Sequence, residues 1–355
     1  MSRTTRWRGV LLCAAACLLL LIGCRVPGSV RPTVKIGLVA PFEGRYRYVG
    51  YDVFPAVRLA VREVNAAGGL EGAYVELVAY DDGADPAMAV EQARKLAVDP
   101  EVMAALGHFR EGTTLAARPA YAEAGLALVA PILLSAEPGL FRTSPPADRL
   151  AAALLDQSPT AALLTDGSSL GVALQALAPA HDVSLAPIVS VEMDDWMAPI
   201  LGADPPALLC DVDPVSAGEA IAALRAAGWS GHFLGGPELA AADFTAVGGE
   251  AVEGAEFITP WPMPEDAAGG EAFATAYTEV SGGPPPGPRA RPAYEATHLM
   301  LEALRIDLAT HGSASRGGTA SALETTLGAA TEEEGELYWY RVVEDGGLML
   351  VSTTP

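Results

Sequence analysis

Cysteine is nearly absent from this chain. Its 355 residues carry four: Cys13 and Cys17 inside an N-terminal apolar run, Cys24 just after it, and Cys210 alone in Ala207-Leu208-Leu209-Cys210. Neither CxxC nor HExxH spacing occurs, so the chain has no metal motif, and no disulfide framework is expected. A lone cysteine in an apolar strand reads as a small buried hydrophobe. Basic residues are also scarce, with 22 Lys and Arg against 44 Asp and Glu and a net charge of −22. So acidic a chain repels nucleic acid, and no basic stripe interrupts it. Gly68-Gly69 and Gly235-Gly236 suit turns, but G-x-G-x-x-G spacing is missing, which argues against a dinucleotide loop. No apolar run reaches the roughly 20 residues of a membrane-spanning helix. Internal repeats are missing too, and no cofactor is expected.

What is present begins at the N-terminus. Arg3, Arg6 and Arg8 precede the 13 uncharged residues Val10 to Ile22. That is the length of a secretory signal's apolar core. The run ends Leu21-Ile22-Gly23-Cys24, which resembles the lipobox of bacterial lipoproteins. The expectation is a signal over 1–23, lipid on Cys24 and a tether over 24–33 that reaches about 30 Å at most. Stable anchoring takes more than one acyl chain. Without the three signal arginines the net charge falls to −25 over 332 residues. That length suggests two domains or one large one, with half the residues hydrophobic.

From Val34 onward the pattern alternates strand and helix. Strands are expected over 34–40, 74–80, 102–106 and 126–130, then 161–165, 183–191, 207–211, 232–235 and 255–258. Asp52 is read as the cap of a helix with Val53, Val57, Val61 and Val64 at helical spacing, stopped at Gly68-Gly69. Asp85-Pro86 opens the next helix; others are expected over 113–124, 217–227, 270–280 and 293–309. The segment 281–292, with five prolines and three glycines, reads as an exposed loop. Two strands split by Asp345-Gly346-Gly347 form a terminal hairpin. Repeated strand–helix order implies α/β architecture, with parallel sheets covered on both faces.

An ordered series of segments resembles the leucine/isoleucine/valine-binding family of type I periplasmic binding proteins. It comprises Ile36-Gly37-Leu38-Val39-Ala40-Pro41, the stretch from Leu59 to Gly69, Tyr80-Asp81-Asp82-Gly83-Ala84-Asp85-Pro86 with Ala93 and Leu96, and Gly107-His108-Phe109. Further on, Phe141-Arg142-Thr143-Ser144-Pro145, Phe233-Leu234-Gly235-Gly236, Val252-Glu253-Gly254 and Ala293-Tyr294-Glu295-Ala296 continue it. The resemblance implies two Rossmann-like lobes joined by three hinge crossings: 34–142 plus 262–336, and 143–261 plus 337–355. It further implies a monomeric, non-catalytic receptor that closes on a small molecule and docks on the permease of an ABC transporter. A ligand sensor for a membrane signalling partner is the alternative.

Ligands of open parallel sheets sit beyond the carboxyl ends of the strands. With the resemblance, this selects Phe42, Glu43, Tyr48, Phe109, Arg110, Glu111, Leu133, Leu134, Ser135, Leu170, Asp213, Glu238 and Tyr294. Three positions depart from the family pattern. Glu111 replaces a small hydroxyl residue that holds an amino-acid carboxylate, Ile132-Leu133-Leu134 delays a hydroxyl to Ser135, and Leu170 stands where a tyrosine is usual. Abundant cleft acids, Asp211 among them, favour an amino-acid-like or cationic ligand held by carboxylates and aromatic faces. Arg110 either grips a ligand carboxylate, pairs with Glu111 or points outward. Gly167-Ser168-Ser169-Leu170-Gly171 also satisfies the nucleophile-elbow pattern; a hydrolase using Ser169 needs Asp243 with His298 or His311. His108 reads as a hydrogen-bonded structural histidine, and Trp196 and Trp261 as packing or lobe-boundary residues.

Overall fold

The computed structural model describes residues 31–132, 140–331 and 335–354. The expected signal, Cys24, Leu133, Leu134 and Ser135 lie outside the described residues.

Five parallel strands form the first sheet, in the order β2-β1-β3-β4-β5: β1 (Thr33–Ala40), β2 (Tyr74–Asp81), β3 (Val102–Gly107), β4 (Ala127–Ala130) and β5 (Leu140–Arg142). Alternation along β1 serves two cores. Ile36, Leu38 and Ala40 face a cluster containing Val53, Val57, Met300 and Leu304, whereas Val39 faces Ala89, Ala93 and Tyr121. Gly37 sits under Leu96, whose side chain would lie 2.5 Å from any added Cβ. Helices α1 (Arg47–Ala66), α2 (Pro86–Val98) and α3 (Glu111–Glu123) connect these strands.

The second sheet has seven strands, ordered β12-β11-β10-β9-β8-β6-β7. They are β6 (Thr160–Thr165), β7 (Ser184–Ser190), β8 (Ala207–Asp211), β9 (His232–Gly235), β10 (Glu256–Thr259), β11 (Leu337–Val342) and β12 (Leu348–Thr354). Pairing is parallel from β7 through to β10, and the terminal hairpin adds antiparallel at that edge. Again the strands alternate: Ala162, Leu164, Leu208 and Cys210 enter one core, and Ala161, Leu163, Ala207 and Leu209 the other. Around this sheet lie α4 (Ala147–Leu155), α5 (Ser169–Leu177), α6 (Met197–Ala203), α7 (Pro214–Ala226) and α8 (Ala242–Gly248). Between β10 and β11 the chain returns to the first sheet to form α9 (Gly270–Ser281), α10 (Ala290–His311) and α11 (Arg316–Thr331). The chain therefore crosses between the lobes three times.

Several local readings change. Asp52 is interior to α1, which starts five residues earlier, at Arg47. Its carboxylate accepts from the backbone N–H groups of Gly287 (2.7 Å) and Arg289 (2.6 Å), so it caps the start of α10, over 230 residues away. Burial, opposed by these donors, raises the Asp52 carboxyl to about 6. The proline-rich segment 281–292 is folded down by this contact, and Arg289 is only 3% exposed. No helix was expected over α11, because Arg316-Gly317-Gly318 and a run of Thr and Ala give little periodic signal; Leu323 and Leu327 nevertheless bury against the first sheet's core. No helix among the described residues is long and apolar enough to cross a membrane.

Candidate functional site

The turns after the parallel strands of both lobes meet around one cavity of about 100 Å³. Phe109, Arg110 and Glu111 enter it from the β3–α3 turn, and Asp166, Ser168 and Leu170 from the β6–α5 turn. Asp211 ends β8 and Asp213 follows it, Glu238 follows β9, Trp261 follows β10, and Arg289 immediately precedes α10. All but Arg289 lie at a strand's carboxyl end, because the turn there exposes backbone and side chains that the helices cover elsewhere.

The β3–α3 turn is rigidly held. A Cβ on Gly107 would lie 2.2 Å from the Val39 carbonyl oxygen, so only glycine fits. Next to it, buried His108 bonds Asp82 through Nδ1 (2.7 Å) and the Tyr121 hydroxyl through Nε2 (3.0 Å), the structural role expected of it. Phe109 takes a left-handed φ of 68°, and the hydroxyls of Thr113 and Thr114 donate to the Arg110 carbonyl.

Three polar bridges cross the cleft. Arg45 donates to Asp213 (2.8 Å) and to the Ser216 hydroxyl (2.9 Å). Glu111 accepts from the Ser169 N–H (2.9 Å) at the start of α5, and the Ser169 hydroxyl donates to its other oxygen. An anion at a helix N-terminus is favoured by the unpaired N–H groups there. Third, Arg289 donates to Glu238 at 2.6 Å, with the Tyr48 hydroxyl 3.5 Å from the same oxygen. The Arg289 guanidinium lies over the Tyr48 ring, 5.2 Å from its centroid. Burial works to raise the Glu238 carboxyl, but the Arg289 and Arg110 charges outweigh it and hold it below the usual carboxylate range.

Beneath these bridges, Asp211 accepts from the hydroxyls of Thr165 (2.8 Å) and Ser168 (2.7 Å). Burial, reinforced by the Asp166 charge and opposed by these donors, moves its carboxyl up to about 7. A folded-state value raised above the unfolded one adds stability that is complete below about pH 4 and disappears as pH climbs through about 7. Asp211→Asn, neutral throughout, should therefore raise the melting temperature by about 3–6 °C at pH 8, by only about a third of that at pH 5, and not at all below about pH 4. Equal shifts at pH 8 and pH 5 would show that Asp211 is ionised across that range.

Of the residues singled out from sequence, Phe109, Arg110, Glu111, Leu170, Asp213 and Glu238 line the cavity, and Tyr48 stands at its edge. Phe42 packs instead on Phe54 and donates its N–H to Asp81. Glu43 is solvent-exposed. Tyr294 lies on the α1–α10 face, donating to Glu63 at 2.6 Å, because its helix turns that side away from the cleft. Arg45, Asp166 and Arg289 were overlooked. Trp261, expected to be a packing or lobe-boundary residue, lines the cavity. The nucleophile-elbow reading fails: Ser169 bonds Glu111, while His298 and His311 bond Glu63 and Asp307.

Two α/β lobes clasping a polar cavity at their strand ends define a type I periplasmic binding fold, a binding protein and not an enzyme. The chain belongs to the periplasmic binding protein family, whose profile matches residues 33–331. Over 123 residues it is 35% identical to a Leu/Ile/Val-binding protein homolog of Brucella abortus, which covers 35% of this chain and 31% of that relative. The chain thus aligns with about a third of that relative's length. In three dimensions it is similar to a branched-chain amino acid transporter substrate-binding protein of Streptococcus pneumoniae in complex with isoleucine. There the TM-score is 0.75 at 20% identity, covering 90% of this chain and 99% of that one. A solute-binding protein from R. palustris in complex with benzoate gives the same TM-score and identity, covering 90% and 96%. Family membership implies an extracytoplasmic location.

Proposed function

We propose that this protein is a lipid-anchored receptor that closes on a small organic solute and delivers it to an ABC importer. The observation that carries this reading is the cavity enclosed between the lobes, bridged across its rim by Arg45–Asp213, Glu111–Ser169 and Arg289–Glu238. Contacts that exist only between lobes reward closure, and a ligand touching both lobes adds to them. Anchoring is supported by the basic leader, the 13-residue apolar run and Leu21-Ile22-Gly23-Cys24.

Native mass spectrometry of gently purified full-length protein tests both parts. The expected spectrum shows a retained small molecule and an N-terminus at Cys24 carrying diacylglycerol. An unmodified Met1 or Cys24 terminus would remove the anchor. Failure to retain any solute, together with no response to a broad metabolite panel, would remove the receptor role.

A further inference from the structure

Among the described residues, two groups of hydrogen-bond donors in the cleft have no acceptor. The Arg110 guanidinium lies over the Tyr46 ring, 4.0 Å from its centroid, and its nearest carboxylate oxygen, on Glu238, is 3.9 Å away. That is beyond hydrogen-bond reach, and among the described residues none of its N–H groups is bonded. Trp261 lines the same cavity, and its indole N–H is buried without a partner among the described residues. A buried donor left unmade is costly, so this N–H marks where a partner is missing, and the partly exposed Arg110 fork stands at the same place.

The acceptors are in the opposite condition. Glu238 is taken by Arg289, Asp213 by Arg45 and the α7 N-terminus, Glu111 by Ser169, and Asp211 by two hydroxyls. Asp166 is the least committed, accepting one N–H from Ser168 at 3.1 Å. Arg289 is bonded to Glu238 and Arg45 to Asp213, whereas Arg110 lies within Coulomb range of Glu238 and Asp166 but hydrogen-bonds to neither, which leaves its N–H groups for something else. A planar guanidinium already stacked on an aromatic ring is pre-organised to grip a carboxylate with two parallel N–H groups.

We infer that the ligand presents a carboxylate to Arg110 and the Trp261 N–H, and that this group, not an ammonium, is what the cleft selects. This rests on the solute-receptor reading above and names its ligand class: a small organic acid. The cavity of about 100 Å³ is smaller than the roughly 150 Å³ engineered cavity that admits benzene, so acids smaller than benzoate fit the closed cleft best and benzoate requires the lobes to part slightly.

Matched probes test it on the full chain by calorimetry and thermal shift. 4-Methylpentanoate is set against 3-methylbutylamine, benzoate against benzylamine, and leucine carries both groups. The acids are expected to bind and raise the melting temperature, and the amines are not. Arg110→Met should weaken acid binding about 30-fold or more, Arg110→Lys should restore part of it, and Trp261→Phe should weaken it about 5-fold. Unliganded melting within about 2 °C of the parent shows that each variant folds. Binding of an amine without its matching acid, or full acid affinity in Arg110→Met, overturns the inference and leaves the receptor reading intact. Where no probe binds, the solute retained in native mass spectrometry decides: an acid supports the inference, and a basic or neutral solute overturns it. If no solute is found at all, both readings fall together.

Discussion

Replacing Arg316 with alanine should lower the melting temperature by about 6–12 °C while barely changing ligand affinity. One guanidinium here satisfies four backbone carbonyls. Its Nε donates to Val102 (3.0 Å), one terminal nitrogen to Ala124 (3.1 Å) and the other to Ala97 (3.0 Å) and Asp99 (2.7 Å). Ala97 lies in the last turn of α2, and Asp99 and Ala124 are the capping residues at the ends of α2 and α3. Helix ends leave carbonyls unpaired and carry partial negative charge, so a cation there is doubly favoured. Hydrogen bonds to charged groups contribute about 1.5–3 kcal/mol each. Since Arg316 is partly exposed and water replaces some of them, a total of about 3 kcal/mol is expected, at roughly 2–4 °C per kcal/mol. Lysine at this position, a point charge without the fork, should recover less than half. The anchor sits at the start of β3, whereas the cleft lies beyond its end, so binding of the best acid in the probe series should stay within about threefold. A melting change under about 2 °C would show that these carbonyls are satisfied equally well by water.

The second large effect concerns closure. The double variant Arg45→Ala/Glu111→Ala removes two of the three bridges and one charge of each sign. The net charge at the rim is unchanged, so any shift reports the lost bridges and not altered long-range attraction. Glu111 contributes a charge-assisted bond to the α5 N-terminus; Arg45, nearly half exposed, adds less because water competes for it. Together about 2 kcal/mol of the closed state's advantage is lost, and the closed-to-open ratio should fall about 30-fold. Small-angle scattering of the unliganded variant should show a larger radius of gyration than the parent. Ligand affinity should weaken by a similar factor, because apparent affinity scales with the fraction able to close. Each lobe keeps its own core, so thermal unfolding should be little changed. An unaltered radius with affinity within threefold would mean that Arg289 and Glu238 alone hold the lobes together.

Local patterning made most elements legible. Strand β8 is where its apolar run placed it, and β1, β2 and β6 differ by a residue at an end. Helix α2 starts at its Asp85-Pro86 signal, with Asp85 accepting the Met88 N–H at 2.8 Å. Where two readings competed for one residue, sequence gave less. Asp52 has the spacing of a cap for its own helix, yet its carboxylate serves another, because a buried acid goes to whichever backbone donors lack partners. Trp261 was read as a packing or lobe-boundary residue, since no local feature says which way an indole N–H faces.

The chain's own residues, read in order, determined the α/β class and most of the loops that form the cleft, and the resemblance to a known family supplied the two-lobed plan. The first two follow from periodicity, turn residues and the rule that parallel strands end at the site, all of which act over a few residues. Only the tertiary structure decided which cleft charges remain for a ligand. Arg45 and Asp213 are 168 residues apart, Glu111 and Ser169 are 58 apart, and Arg289 and Glu238 are 51 apart. An acidic sequence promised free carboxylates, but charge pairing depends on distance in space, and folding brought arginines, hydroxyls or backbone N–H groups to those lining the cavity. What it left without a hydrogen bond among the described residues was the Arg110 guanidinium and the Trp261 indole N–H.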